Sequence, residues 1–159
     1  MREDVEMHGR LRVALLDRDG SVVYERTHPN RIVKAGRQLV AELFTGVAAG
    51  SPPSKVTHMG VGTGAVAVND DQNALASPRA PRNPITSVTN SDVTESGVKR
   101  VKASLQTVFD FDQANGPDPL REAGIFTAAT GGTMYNRVVF DAVTKSDTFK
   151  LTLIWDVVF

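Results

Sequence analysis

Three histidines, His8, His28 and His58, are the residues of this chain best suited to proton transfer or metal ligation near neutral pH. Their spacing gives them no common site: none stands at i, i+4 from another or beside a candidate nucleophile, and no acid accompanies them at ligand spacing. Asp17-Arg18-Asp19-Gly20 opens like a calcium loop, but the bidentate acid required at the twelfth loop position falls on His28, which leaves a turn. Asp110-Phe111-Asp112 could set two carboxylates on one face of a strand end with Asn115 nearby; a weak surface calcium site is the alternative there to a solvated turn. Gly60-Val61-Gly62-Thr63-Gly64 has neither the G-x-G-x-x-G spacing nor a following Lys-Ser/Thr, and is expected to let the chain turn sharply at a strand end. Arg121 and Glu122 are adjacent on a strand and point to opposite faces, so each needs a structural partner elsewhere. There is no G-x-S-x-G and no cysteine, hence no thiolate, disulfide or Cys-type zinc site. No catalytic, cofactor-binding or metal residue is expected, and the chain is not read as an enzyme.

The elements that would position these groups are mostly strands. From 147 to 159 the chain alternates without a break: Phe149, Leu151, Leu153, Trp155, Val157 and Phe159 take one side, with Trp155 on the buried face. Residues 9–27 read as a β-hairpin turning at Asp17-Arg18-Asp19-Gly20, either part of the core sheet or an arm reaching to a neighbour. Asn30 looks like an N-cap for a helix over 31–44, with Ile32, Val33, Gly36, Leu39, Val40, Leu43 and Phe44 on one apolar face and Gly46 as its stop. A short strand is expected over 56–61 and a brief helix over 69–76 anchored by Leu75. Residues 77–84 carry Pro78, Pro81 and Pro84, which excludes them from a sheet interior and predicts a surface arm. Strands resume from 85. Val101, Ala103, Leu105, Thr107 and Phe109 oppose Arg100, Lys102, Ser104 and Gln106; 121–128 and 133–140 pair across Gly131-Gly132. About eight strands and one helix predict a mainly β single domain over 1–159, an antiparallel sandwich or barrel.

Composition narrows the partners. Eighteen basic and eighteen acidic residues cancel, so the basic excess of a nucleic-acid binder is missing and none is expected as a partner. No apolar run approaches ~20 residues, which predicts no membrane-spanning helix and no membrane partner. The N-terminal Met-Arg-Glu-Asp-Val-Glu lacks an apolar signal-peptide stretch, so residence in the cytosol, or release by lysis, is expected. Aromatic residues are only 6% of the chain, few for the stacking surfaces of glycan or single-strand sites.

One run carries a resemblance. Ala114-Asn115-Gly116, then Arg121-Glu122-Ala123-Gly124-Ile125-Phe126, Gly131-Gly132-Thr133, Arg137 and Leu151 to Trp155 follow an order that resembles a group of small tailed-bacteriophage structural proteins. Val61-Gly62-Thr63-Gly64 and the 30–36 stretch fit the same pattern, and the departure is Pro117-Asp118-Pro119, which lengthens the turn before Leu120. Arg121, Glu122, Gly124, Phe126, Gly131, Gly132 and Trp155 form the structural signature. The resemblance implies a non-enzymatic virion component of the tail, collar or baseplate that organises or attaches fibres, assembled in the host cytoplasm. It would act without a cofactor as a homo-oligomer in contact with other virion proteins. A capsid decoration protein, and a small sugar-binding or hydrolytic module, are the alternatives. The contact elements expected are Arg79, Arg82, Asn83 and Pro84, with the 46–54 loop.

Overall fold

The computed structural model describes residues 6–47 and 53–159. Two antiparallel five-stranded sheets face each other in a sandwich-like arrangement that does not close into a barrel, with one helix among the described residues. The first sheet runs β2 (Val22–Pro29), β1 (His8–Leu16), β10 (Lys150–Val158), β7 (Val98–Phe109), β6 (Ser87–Glu95). The second runs β3 (Arg31–Ile32), β9 (Met134–Val143), β8 (Leu120–Phe126), β4 (His58–Gly62), β5 (Pro78–Pro84). Helix α1 spans Lys34–Thr45.

The alternation of the final strand places it at the centre of the first sheet. Leu151, Leu153, Trp155 and Val157 are buried on one face of β10, each worth about 2 kcal/mol of transfer free energy. Trp155 pairs with Leu11 on one side and Leu105 on the other, so three large apolar groups cross the sheet in register. β1 pairs with β10 from His8 to Leu16, which builds the N-terminal hairpin into its own chain's sheet rather than leaving it as an arm. Its turn is closed as expected: Asp17 Oδ1 accepts from the Asp19 and Ser21 backbone N–H groups, both at 3.0 Å.

Several expectations are corrected. The helix begins at Lys34, three residues later than expected, with Val33 rather than Asn30 at its N-cap and no side-chain cap. Arg31–Ile32 is drawn into pairing with β9, and the first turn is satisfied from elsewhere: Lys34 N–H donates to the Asp70 carbonyl at 2.9 Å, while the Arg31 guanidinium grips the Asp70 carboxylate. That arginine lowers the Asp70 pKa below its ordinary value. The helix does end at Gly46, in the left-handed region that glycine tolerates. Residues 69–76 form turns instead of a helix. The proline-rich 77–84 segment is a strand after all, β5, admitted because it lies at a sheet edge and its register on β4 is broken at Met59/Val61.

Candidate functional site

The most polar place in the interior is a clamp across β8 and β9. Glu122 and Arg137 are both fully buried, with Arg137 Nε 2.7 Å from Glu122 Oε2. The same carboxylate accepts from Ala76 N–H at 2.9 Å, Ser77 N–H at 2.7 Å and Gly64 N–H at 3.1 Å. Arg137 Nη1 reaches the Val66 carbonyl at 2.8 Å and Gln72 Oε1 at 3.2 Å. One ion pair thus pins the 63–77 connection to the sheet. It also explains Gly62 and Gly64 differently from a turn. A Cβ on Gly64 would lie 2.6 Å from Glu122 Oε1, and one on Gly62 would lie 2.5 Å from it, so these glycines make room for the carboxylate. A carboxylate surrounded by an arginine and three backbone donors is held in place, which suits architecture rather than proton transfer. Arg121, its neighbour in sequence, is exposed.

The turn expected as an alternative calcium site is filled from within. Lys145 is buried, and its ammonium donates to the Asp110 carbonyl at 2.9 Å, Asn115 Oδ1 at 2.7 Å and the Ser146 carbonyl at 3.0 Å. Oxygens that could ligate a metal ion therefore meet an ammonium with three donors to satisfy. Burial lowers the Lys145 pKa from its ordinary value, and the surrounding aspartates oppose that. Among the described residues, no three His, Asp or Glu gather in a way that could hold a metal ion. The histidines stay apart: His8 pairs with Glu95 at 2.7 Å, His58 Nδ1 meets Thr57 Oγ1 at 2.8 Å, and the His28 ring lies 6.0 Å from that of Phe140.

The residues expected to make partner contacts on β5 are spent inside the molecule. Arg79 donates to the Ala114 and Asp118 carbonyls at 3.2 and 2.7 Å. Arg82 donates to the Ala128 and Gly131 carbonyls at 2.9 and 2.8 Å, and its guanidinium lies 3.5 Å over the Phe126 ring. Asn83 is buried on the Val108 carbonyl and Gln113 Oε1, and the Pro84 carbonyl accepts from Thr107 Oγ1. They staple the edge strand to the loops around it. Of the other expected element, the 46–54 loop, residues 48–52 lie outside the described residues. The remaining signature residues are structural: Phe126 and Trp155 are buried, Gly131 and Gly132 turn the β8–β9 hairpin at positive φ, and Gly124 lets the Asn136 carbonyl approach.

What the fold leaves open is apolar. α1 packs on β9 through Gly36, which sits against the Tyr135 backbone where no side chain would fit, and through buried Leu39. Its last turn runs past that support, so Leu43 and Phe44 are exposed, Phe44 by 91%. Opposite, the first sheet extends beyond the second at β6, and Val88 and Val101 are left 62% and 46% exposed beside a half-uncovered Phe159. Alternation predicts Val101 and Phe159 on the core side, and the structure leaves both partly exposed. Between the helix and this sheet lies a groove of about 490 Å³, with Leu43, Val88, Leu105, Ile125, Val157 and Phe159 among the residues that line it. Tyr135 also lines the groove, and burial raises its phenol pKa to about 12. Lys55 supplies the charge on the groove wall. Only an apolar helix stripe too wide for one packing partner hinted at this surface in the sequence. Comparison with protein-family models, with curated proteins and with solved structures finds no match for the chain.

Proposed function

We propose that this chain is a non-enzymatic structural subunit of a tailed-bacteriophage virion, part of a tail, collar or baseplate assembly that organises or attaches fibres. The observation that carries the reading is the uncovered apolar end of the sandwich, where Leu43, Val88 and Phe159 line one groove and Phe44 and Val101 are exposed as well. Contiguous apolar surface of this kind marks contact with another macromolecule. The resemblance in Ala114-Asn115-Gly116, Arg121 to Phe126 and Gly131 to Thr133 supplies the kind of assembly. The interior agrees in character, since its buried ions, Glu122, Arg137 and Lys145, are engaged in holding loops. The subunit works by repetition: copies arranged by symmetry, with other virion proteins, multiply modest contacts into durable attachment. No cofactor takes part. Labelling purified virions with a gold-tagged antibody against this chain tests the reading. Gold on the tail apparatus is expected; gold over the head moves the chain to a capsid-decorating role, and unlabelled virions overturn the reading.

A further inference from the structure

Two sheets present four edge strands among the described residues, and three of the four are blunted. β3 has two residues, β5 carries three prolines and a broken register, and β2 is bulged against Leu15/Leu16 and ends in Pro29. Such devices stop an edge from pairing with another chain. β6 has none of them. It is nine residues long, Ser87-Val88-Thr89-Asn90-Ser91-Asp92-Val93-Thr94-Glu95, without proline, lysine or arginine, and its register on β7 is unbroken from end to end.

The hydrogen-bonding parity of the sheet says which groups β6 offers. Val101 and Phe159 exchange backbone hydrogen bonds in both directions, at 3.2 and 2.9 Å. Alternate residues of a strand bond to alternate sides, so Arg100, Lys102, Ser104 and Gln106 serve β6, where their partners are Val93, Ser91, Thr89 and Ser87. The N–H and C=O groups of Val88, Asn90, Asp92 and Thr94 therefore point to the open edge.

We propose that β6 pairs antiparallel with β6 of a second copy of this chain, about a two-fold axis through Ser91, joining two five-stranded sheets into one. The inference rests on reading the chain as an assembling subunit and names the interface. The strand is self-complementary about Ser91. Asn90 meets Asp92 of the second copy as an amide–carboxylate pair, Val88 meets Thr94, Thr89 meets Val93, and Ser87 meets Glu95. All four open residues are then bonded and no like charges face each other. Moving the axis to Asp92 sets two carboxylates opposite one another and leaves one end unpaired. Val88 belongs to both this strand and the groove, so the joint begins at the groove's edge.

Cross-linking of the full chain tests the register. Ser91 faces its own copy in a non-hydrogen-bonded pair, with Cα atoms about 4.5 Å apart, inside the range a disulfide spans. Thr89, also exposed on the same face, lies about 13 Å along the strand from its own copy at ~3.3 Å per residue. At micromolar protein and under a mild thiol oxidant, Ser91→Cys is expected to form a linked dimer on the order of 100-fold faster than Thr89→Cys, because pairing raises the local thiol concentration to the millimolar range. Asp92→Pro removes an open-edge donor without touching the β7 ladder, and is expected to shift unmodified protein toward monomer in sedimentation. Equal linking rates for the two cysteines overturn the proposal, as does an oligomer that Asp92→Pro leaves intact. Such an oligomer leaves the assembly reading standing on another surface; unlabelled virions with fast Ser91→Cys linking leave the interface standing without the virion.

Discussion

The Glu122–Arg137 clamp and the open groove invert the usual distribution of chemistry. On β8 and β9, full charges are sealed from water and bonded on almost every side. At the α1–β6 end, valine, leucine and phenylalanine face solvent. Each arrangement costs free energy on its own. Buried ions must be compensated by their partners, while exposed apolar groups forgo burial that another surface can supply. The first region is complete within one chain; on the proposed reading, the second is completed from outside. Substitutions should therefore read out differently: as stability in the clamp, as association at the groove.

The largest effect is expected from Glu122→Ala. It strands a buried guanidinium and leaves the Gly64, Ala76 and Ser77 N–H groups without their acceptor, which costs about 3–5 kcal/mol. Urea unfolding followed by Trp155 fluorescence measures it, the chain having one tryptophan. Pairing Glu122→Leu with Arg137→Met should cost clearly less than either change alone, because no uncompensated ion remains. If the double change is as damaging as the sum of the singles, the clamp holds the fold by more than charge pairing.

Gly64→Ala comes next. Its methyl would meet both the Ala76 Cβ and Glu122 Oε1 at 2.6 Å, between backbone segments that the clamp itself fixes. Overpacking of this kind costs about 1–3 kcal/mol, and the same unfolding assay reports it. In the Glu122→Leu, Arg137→Met background the penalty should change, since the two sites share atoms and do not add.

The two regions also differ in how far residue order reveals them. Strand alternation in 147–159 and 103–109 lies within one element, so β10 and most of β7 are legible, as are the hairpin at Asp17 and the helix stop at Gly46. The clamp is not: Glu122 and Arg137 sit on different strands, and their meeting depends on the β8–β9 register, which shifts between Leu120 and Glu122. The same clamp takes the Ala76 and Ser77 N–H groups, which is why 69–76 turns rather than coils into a helix. Asn30 has the right type for a cap, but pairing of Arg31–Ile32 with β9 moves the helix start downstream. Proline in β5 argues correctly against a central strand and says nothing against an edge. The exposure of Val101 and Phe159 is invisible to alternation, which tells the two faces of a strand apart without telling whether a second sheet extends far enough to cover one.

Tyr135 belongs to both regions, as a β9 residue whose ring lines the groove, and it gives a smaller, pH-dependent effect. Burial raises its phenol pKa to about 12, against about 10 in an unfolded chain. Below pH 10 both states hold the proton, and the contribution is fully present. Between about 10 and 12 the unfolded chain releases a proton that the fold retains, so stability falls as pH rises. Tyr135→Phe should flatten that alkaline slope and leave neutral-pH stability nearly unchanged, as its hydroxyl is buried without a partner in the protein. An unaltered slope in the variant would assign the alkaline loss to other groups.

The smallest folding effect separates the regions most sharply. Phe44 is 91% exposed on the last turn of α1, where the helix has passed its support on β9. Phe44→Ser removes apolar surface that the isolated fold scarcely uses, so unfolding free energy should move by no more than about 0.5 kcal/mol. If another molecule covers this end, as proposed, losing Phe44 should nevertheless weaken association, read as a lower sedimentation coefficient at matched micromolar concentration or as poorer incorporation into particles. Glu122→Leu with Arg137→Met should do the reverse, altering unfolding while leaving association of the folded fraction in place. If Phe44→Ser destabilises the chain as a core truncation does, the exposed end of α1 serves the fold itself, and the contrast between a finished region and an unfinished one fails.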